Sequence, residues 1–408
     1  MWSCVGVQGE RDVDRDRRAR AGRGKPQPRA AGGPLDEQTV GARDPLRKIY
    51  LEITSRCNLD CRMCIRRSWE TPDSTMSPAT FEALMAQLER IPSLQTINFG
   101  GFGEPTIHPH FFEFLARVKA AGLCAEVVTN GVRLDGPASE RLIDLEVDRL
   151  IVSVDGTDGG GVFHASADHG VPAHLRELYR MKRRRGTGRP EVTIGFVASR
   201  RNIHLLPSLK RRAAELGFSS ILVTNLVPHT AELADEILYA HWTTTNRDSG
   251  ARPRSPVVDL PRMDPRSAGA AVIEQLQVAG THLRVCGNDF SGGRMWCRFV
   301  NEGYLAIAPD GRVAPCLPLL HTYSYYFRGE LRRMRAWHVG NLHDRELGEL
   351  WNAAAYREFR ERVRRFEFSP CIDCGSCELR ASNEQDCYGN GFPSCGECLW
   401  AAGLVQCP

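Results

Sequence analysis

The stretch Thr54-Ser55-Arg56-Cys57-Asn58-Leu59-Asp60-Cys61-Arg62-Met63-Cys64 begins where a short β-rich run, Ile49–Thr54, ends. Three thiolates spaced by three and then two residues can wrap one loop around a cubane. A [4Fe–4S] cluster normally takes four cysteine ligands, and here only Cys57, Cys61 and Cys64 lie close together. The fourth iron is then open to a small molecule, as a catalytic cluster requires and an electron carrier does not. A zinc knuckle is the competing reading. Zinc sites usually add a further pair of Cys or His at a set distance, and none follows within roughly forty residues.

Working outward, strands and helices alternate. After the run at Ile49–Thr54, Pro78–Arg90 carries apolar residues at helical spacing, with Ser77 as N-cap and Pro78 at the first helical position. Gln95–Phe99 reads as a strand, and Pro109–Ala121 as a helix stopped by Gly122. Ala125–Thr129, Arg149–Val154, Val192–Val197 and Ser220–Thr224 are further strands, separated by helices at Pro137–Leu145, Ala173–Arg185 and Leu205–Leu216. This alternation predicts βα units on a parallel sheet. Six units are too few for the closed eightfold barrel, so an open or partial barrel is expected, with functional groups at the carboxyl ends of its strands.

The flanks differ. Residues 1–44 are rich in Arg, Asp, Gly and Pro and are expected to be disordered. Residues 226–290 have poor periodicity, apart from a helical stretch near Ala270–Ala279, and read as a linker or bridging region. From residue 291 to 408 the chain is cysteine-rich, with a hairpin-like segment around Gly303–Pro315 and a helix around Leu347–Phe366.

The chain has 408 residues, a net charge of +4 and 15 cysteines. No apolar run approaches the roughly 18 residues that span a bilayer, and the N-terminus has no apolar signal region. Basic runs such as Lys182–Arg185 lack interleaved aromatics and read as a solvated helix end rather than a nucleic-acid surface. A cytoplasmic protein with no membrane and no nucleic-acid partner is therefore expected. In a reducing compartment, clustered cysteines point to metal or redox chemistry. Besides the first three, ten lie between Cys286 and Cys407, and only Cys4 and Cys124 stand apart.

Cys-x3-Cys-x2-Cys after a first strand resembles the radical S-adenosylmethionine (SAM) superfamily, and the resemblance extends over residues 45–225. It implies a partial (βα)6 barrel and a [4Fe–4S] cluster whose open iron chelates the amino and carboxylate groups of SAM. Reductive cleavage of the C5′–S bond then yields a 5′-deoxyadenosyl radical. The residue before the last cysteine packs on adenine in this family; here it is Met63. Gly100-Gly101-Phe102-Gly103-Glu104-Pro105 is similar to the family's Gly-Gly-Glu motif for the amino group of SAM, implicating Gly101, Gly103 and Glu104. Thr129-Asn130-Gly131 and Ser153-Val154-Asp155-Gly156 end two strands and resemble segments that contact ribose or methionine, implicating Asn130, Ser153 and Asp155. Arg200 or Arg201 is a candidate partner for the SAM carboxylate, since guanidinium matches carboxylate geometry.

Cys297-x13-Gly311-x4-Cys316 looks like the start of the SPASM extension, which houses auxiliary [4Fe–4S] clusters. Cys371, Cys374, Cys377, Cys387, Cys395, Cys398 and Cys407 follow as Cys-x2-Cys-x2-Cys-x9-Cys-x7-Cys-x2-Cys-x8-Cys, a departure from the extension's usual spacing. One or two auxiliary clusters, or one cluster and a zinc site, fit this count, and the spacing does not pair the ligands. The resemblance implies a protein or peptide substrate and a reducing partner such as ferredoxin or flavodoxin. The segments Asn225–Thr230 and Ser382–Pro408 are similar to radical maturases associated with tungsten-containing aldehyde oxidoreductases. Alternatives are a maturase that crosslinks a ribosomal peptide, an anaerobic sulfatase-maturase-like enzyme, the GTP cyclase of molybdopterin assembly, and a non-catalytic iron–sulfur carrier.

Overall fold

Strand β1 (Lys48–Leu51) is buried at all four positions, which a strand flanked on both sides and covered on both faces must be. It lies inside a nine-stranded sheet in a computed structural model that describes residues 44–154, 170–239, 257–260, 282–285, 288–289, 295–372, 374 and 377–407. Within these, residues from Leu46 onward belong to one compact unit. The expected tail at 1–44 (all but its last residue), the helical stretch near 270–279, Asp155 and Cys286 lie outside the described residues.

The βα units form as expected. In chain order they are β1, α1 (Pro78–Leu88), β2 (Thr96–Phe99), α2 (Phe111–Ala120), β3 (Cys124–Thr129), α3 (Gly136–Asp144), β4 (Arg149–Val154), α4 (Val171–Arg185), β5 (Glu191–Ala198), α5 (Leu206–Glu215) and β6 (Ser220–Asn225). Strands β1 to β6 are parallel and adjacent in sequence order. Local chemistry sets the helix ends. Ser77 Oγ accepts the Thr80 N–H at 3.0 Å, and Gly122 takes φ +75° just past α2. Ile49, Leu51, Ile97, Phe99 and Val127 bury one face of the sheet with Phe81 and Phe114, whose rings stack 3.9 Å apart.

After β6 the sixth unit has only a four-residue helix, α6 (Ala231–Ala234). Residues 226–239 nevertheless pack: Leu226, Leu233, Ile237 and Tyr239 are buried. Strands β7 (Val257–Leu260), β8 (His282–Val285) and β9 (Asn288–Asp289) form a separate small sheet.

The C-terminal region returns to the core. After α7 (Arg298–Glu302), β10 (Tyr304–Ile307) pairs parallel with β1 in register Lys48↔Tyr304 to Leu51↔Ile307. β11 (Arg312–Ala314) and β14 (Gly340–Asn341) extend that edge antiparallel. The expected hairpin around Gly303–Pro315 is therefore β10–β11. A second hairpin, β12 (Tyr323–Phe327) and β13 (Glu330–Met334), turns at Arg328 and Gly329, both with positive φ. The single helix expected over Leu347–Phe366 is instead two, α8 (Leu347–Asn352) and α9 (Ala354–Arg365), broken at extended Ala353. The break lets fully buried Arg360 stack on Trp351 and donate to its carbonyl at 2.8 Å. No helix among the described residues is long and apolar enough to cross a membrane.

Candidate functional site: a cysteine loop at the carboxyl ends of the strands

The loop after β1 is clamped at its base. Thr54 bridges Thr75, and the Ser55 and Met76 N–H groups donate to the carbonyls of Ser74 and Ile53 at 3.0 and 2.8 Å. Between these points the chain carries Cys57, Cys61 and Cys64, all partly buried. Cys57 Sγ accepts the Leu59 N–H at 3.4 Å and the Asn130 amide at 3.7 Å. Burial still pushes the Cys57 thiol up from its ordinary value, with Glu104 and Cys64 adding to the rise. The guanidinium of Arg66 is close enough to Cys64 and Cys57 to favour their charged forms, and it donates to the Ser55 carbonyl at 2.6 Å.

The glycine segment after β2 lies directly against this loop. A Cβ on Gly103 would meet the carbonyl oxygen of Thr54 at 2.1 Å and that of Arg56 at 2.8 Å, so only glycine fits. The Glu104 N–H donates to Arg56 at 2.8 Å. The Glu104 side chain is buried, and its Oε1 accepts from Thr106 N–H, Thr106 Oγ1 and Thr129 Oγ1 at 3.1, 2.6 and 2.7 Å. Its Oε2 takes one donor, the Asn130 N–H at 2.7 Å, and retains acceptor capacity. Burial raises the Glu104 carboxyl against the pull of these donors. Asn130 also bonds Asn58 at 2.8 Å, so the ends of β2 and β3 hold the cysteine loop from one side.

The remaining expected residues are placed as follows. Met63 is partly buried in the loop, Gly101 packs on Glu52, and Ser153 is exposed near the carboxyl end of β4. Arg200 donates to the Ile237 carbonyl at 3.2 Å. Arg201 and Arg62 share the buried carboxylate of Glu236, at 2.8 and 2.5 Å. Glu236 thus ties the cysteine loop to the end of β5, a role that nothing local in its irregular segment marks.

Sequence reasoning also missed a link to the C-terminal region. Glu52, one residue past β1, accepts the Phe102 N–H at 2.8 Å and lies 2.5 Å from His321 Nε2. His321 stacks on Trp69 with centroids 3.9 Å apart, and Phe102 meets both edge-on. Hairpin β12–β13 braces the same region: Ser324 N–H donates to Ser68 at 3.3 Å and Tyr326 N–H to Pro228 at 2.7 Å.

The donor set suits an iron–sulfur cluster. Sulfur ligands, amide donors to sulfur and a neighbouring guanidinium are the surroundings a thiolate-bound cluster uses. Among the described residues no three Cys, His, Asp or Glu converge to the spacing of a single ion.

The chain's likeness to known proteins agrees. Residues 51–194 match the family described as Radical SAM superfamily, and residues 297–378 match an iron–sulfur cluster-binding domain. A tungsten-containing aldehyde ferredoxin oxidoreductase cofactor-modifying protein of Pyrococcus furiosus is 31% identical over 371 residues, 89% of this chain and 97% of the relative. A PqqA peptide cyclase of Gluconobacter oxydans is 24% identical over 361 residues, covering 86% of this chain and 90% of the relative. Among solved structures, a histidine-tagged anSMEcpe with bound AdoMet aligns with a TM-score of 0.52 at 17% identity, over 88% of this chain and 93% of the other. The chain belongs to the radical SAM superfamily: it is an enzyme with a [4Fe–4S] cluster, and a C-terminal iron–sulfur domain extends its central sheet.

Proposed function

We propose that this enzyme matures a tungsten-containing oxidoreductase, or the cofactor of one, by radical chemistry started at the Cys57–Cys61–Cys64 loop. The single observation that carries this reading is the 31% identity to the Pyrococcus furiosus cofactor-modifying protein over nearly the whole of both chains. In this reading Cys57, Cys61 and Cys64 hold the cluster. Glu104, with Gly101 and Gly103, receives the amino group of SAM. Asn130, Ser153 and Asp155 face its ribose or methionine portion, Arg200 or Arg201 its carboxylate, and Met63 its adenine. Loaded with cluster and SAM, the site supplies one electron to the sulfonium, releasing methionine and a 5′-deoxyadenosyl radical. The chain's own contribution is positioning: amide donors hold Cys57, and the clamped base of the loop fixes its approach to Glu104.

Residues 45–225 serve in this proposal as the radical-generating part, and residues 291–408 as the auxiliary-cluster part, joined through 226–290. A ferredoxin or flavodoxin supplies the electron, and the enzyme works in the cytoplasm. The test is anaerobic reconstitution with iron and sulfide, then dithionite and SAM, with 5′-deoxyadenosine as the readout. Adding a cofactor-immature tungsten oxidoreductase should raise 5′-deoxyadenosine formation and restore aldehyde oxidation. No turnover of SAM under any reductant would sink the reading.

A second reading is kept because a PqqA peptide cyclase also aligns over most of this chain. Here the substrate is a peptide, crosslinked after hydrogen abstraction. Consumption of SAM with a short precursor peptide, and none with the oxidoreductase, would select it.

A further inference from the structure

Four residues from four segments meet where β1 ends. Glu52 follows β1, Phe102 lies in the glycine segment, Trp69 follows the cysteine loop, and His321 stands between β11 and β12 in the C-terminal domain. Glu52 uses each carboxylate oxygen once. Oε1 accepts the Phe102 N–H at 2.8 Å, and Oε2 lies 2.5 Å from His321 Nε2. A carboxylate only accepts, so Nε2 is the donor. Among the described residues Glu52 makes no ion pair with Lys or Arg, and His321 Nδ1 has no hydrogen-bond partner. Each of the two side chains therefore takes its orientation from the other.

His321 is itself held firmly. The Trp337 N–H donates to the Leu319 carbonyl and the Ala336 N–H to Thr322 Oγ1, both at 3.0 Å, so the chain is pinned on either side of the imidazole. Trp69 covers one face of the ring. The glycine segment in turn rests on Glu52. A Cβ on Gly101 would meet Glu52 Oε1 at 2.7 Å and Cγ at 2.8 Å, so Gly101 lies flat on the Glu52 stem. Phe102 hangs from the carboxylate, and Glu104 follows two residues later. Without His321, Oε2 would be buried with no donor, and the carboxylate would turn to find one. Oε1 would then leave the Phe102 N–H. The segment that carries Glu104 would keep its tie to the Arg56 carbonyl, at 2.8 Å, and lose its tie to the end of β1.

We propose that His321 is a positioning residue for SAM: acting through Glu52 and the Phe102 N–H, it sets where Gly101, Gly103 and Glu104 receive that molecule. The C-terminal domain is then a working part of the SAM site. The inference rests on the reading that Glu104 takes the amino group of SAM, and on no particular substrate.

The test compares His321→Phe, His321→Gln and Glu104→Gln in the full chain. Phe keeps a ring on Trp69 and removes the donor, whereas Gln keeps a donor near the Nε2 position. Hydrogen exchange of the apo chain, read by mass spectrometry on the peptide that contains Phe102, should be faster by about tenfold in His321→Phe. Calorimetric titration of the reconstituted enzyme should show SAM affinity lower by about tenfold in His321→Phe and within about threefold of the parent in His321→Gln, at equal iron content. Where His321→Phe does not accumulate, His321→Asn, whose amide falls short of Glu52, should show the same two losses. A packing role alone would lower the unfolding midpoint and leave SAM affinity at the parent value, and that result would overturn the proposal. So would unchanged exchange at Phe102. Glu104→Gln separates the two claims. Weaker SAM binding there, with parent-level binding in His321→Phe, would overturn the positioning role alone; parent-level binding in Glu104→Gln would overturn the placement of SAM and the inference with it.

Discussion

His321 Nε2 lies 2.5 Å from Glu52 Oε2, and both side chains are at most 2% exposed. One residue follows the first strand of the radical domain, and the other belongs to the C-terminal domain. Removing one partner of a buried pair leaves the other without compensation and costs about 3–5 kcal/mol. His321→Ala is therefore expected to lose about that much stability in urea unfolding of the apo chain. Glu52→Gln keeps an acceptor for the Phe102 N–H and should lose less, about 1–3 kcal/mol. Equal stability of His321→Ala and the parent would show that the pair does not hold the domains together.

Gly103→Ala places a methyl group against backbone, not against a side chain that can turn away. The loop from Thr54 to Arg56 must move, at a cost of about 1–3 kcal/mol or more. Calorimetric titration with SAM should show affinity lower by about tenfold or more. Unchanged affinity would mean that the loop position is not set by this contact.

Cys61→Ala is expected to bring 5′-deoxyadenosine down to background and to remove about four irons, while the auxiliary signals persist. Cys398→Ala should leave cleavage of SAM largely intact and stop conversion of the substrate. Chromatography of the quenched reaction measures both. Parent-level cleavage by Cys61→Ala would exclude the loop as the catalytic site.

Glu126 gives a prediction for acid. Burial pushes its carboxyl up, but Lys48 at 2.6 Å, with Asn98 and Arg149, pulls it below its ordinary value of 4.5. A depressed folded value stabilises the fold above the unfolded value, and this is lost as pH falls through the folded one. Glu126→Gln should thus be less stable than the parent at neutral pH, by about 3 kcal/mol. The gap should narrow as pH falls below 4.5. Denaturant midpoints across pH check this, and a gap that widens in acid would reverse the sign.

Much of the radical domain was legible because its signals are local. The Cys57–Cys64 spacing, the Gly100–Pro105 segment and the Ser77 cap each declare themselves within a few residues. The C-terminal domain was legible in its thiols, its Gly303–Pro315 hairpin and one helical stretch, but not in how these join the core. Nothing near Tyr304 says that it pairs with Lys48, because a short apolar strand has no mark of its partner. Glu52, Glu236 and His321 read as ordinary residues, since their meaning lies in contacts far along the chain. The helix break at Ala353 escaped for a similar reason: Arg360 reaches back to cap Trp351, and periodicity does not register such a contact.

The register of β10 on β1 has a practical outcome. A chain cut after Asn225 would bare the rim of a four-residue strand that the native molecule covers entirely. Such an uncovered border is a template for polymerisation, so the radical half is a poor candidate for separate expression. The two halves share one backbone lattice, and loosening either of them should be felt as shear in the other.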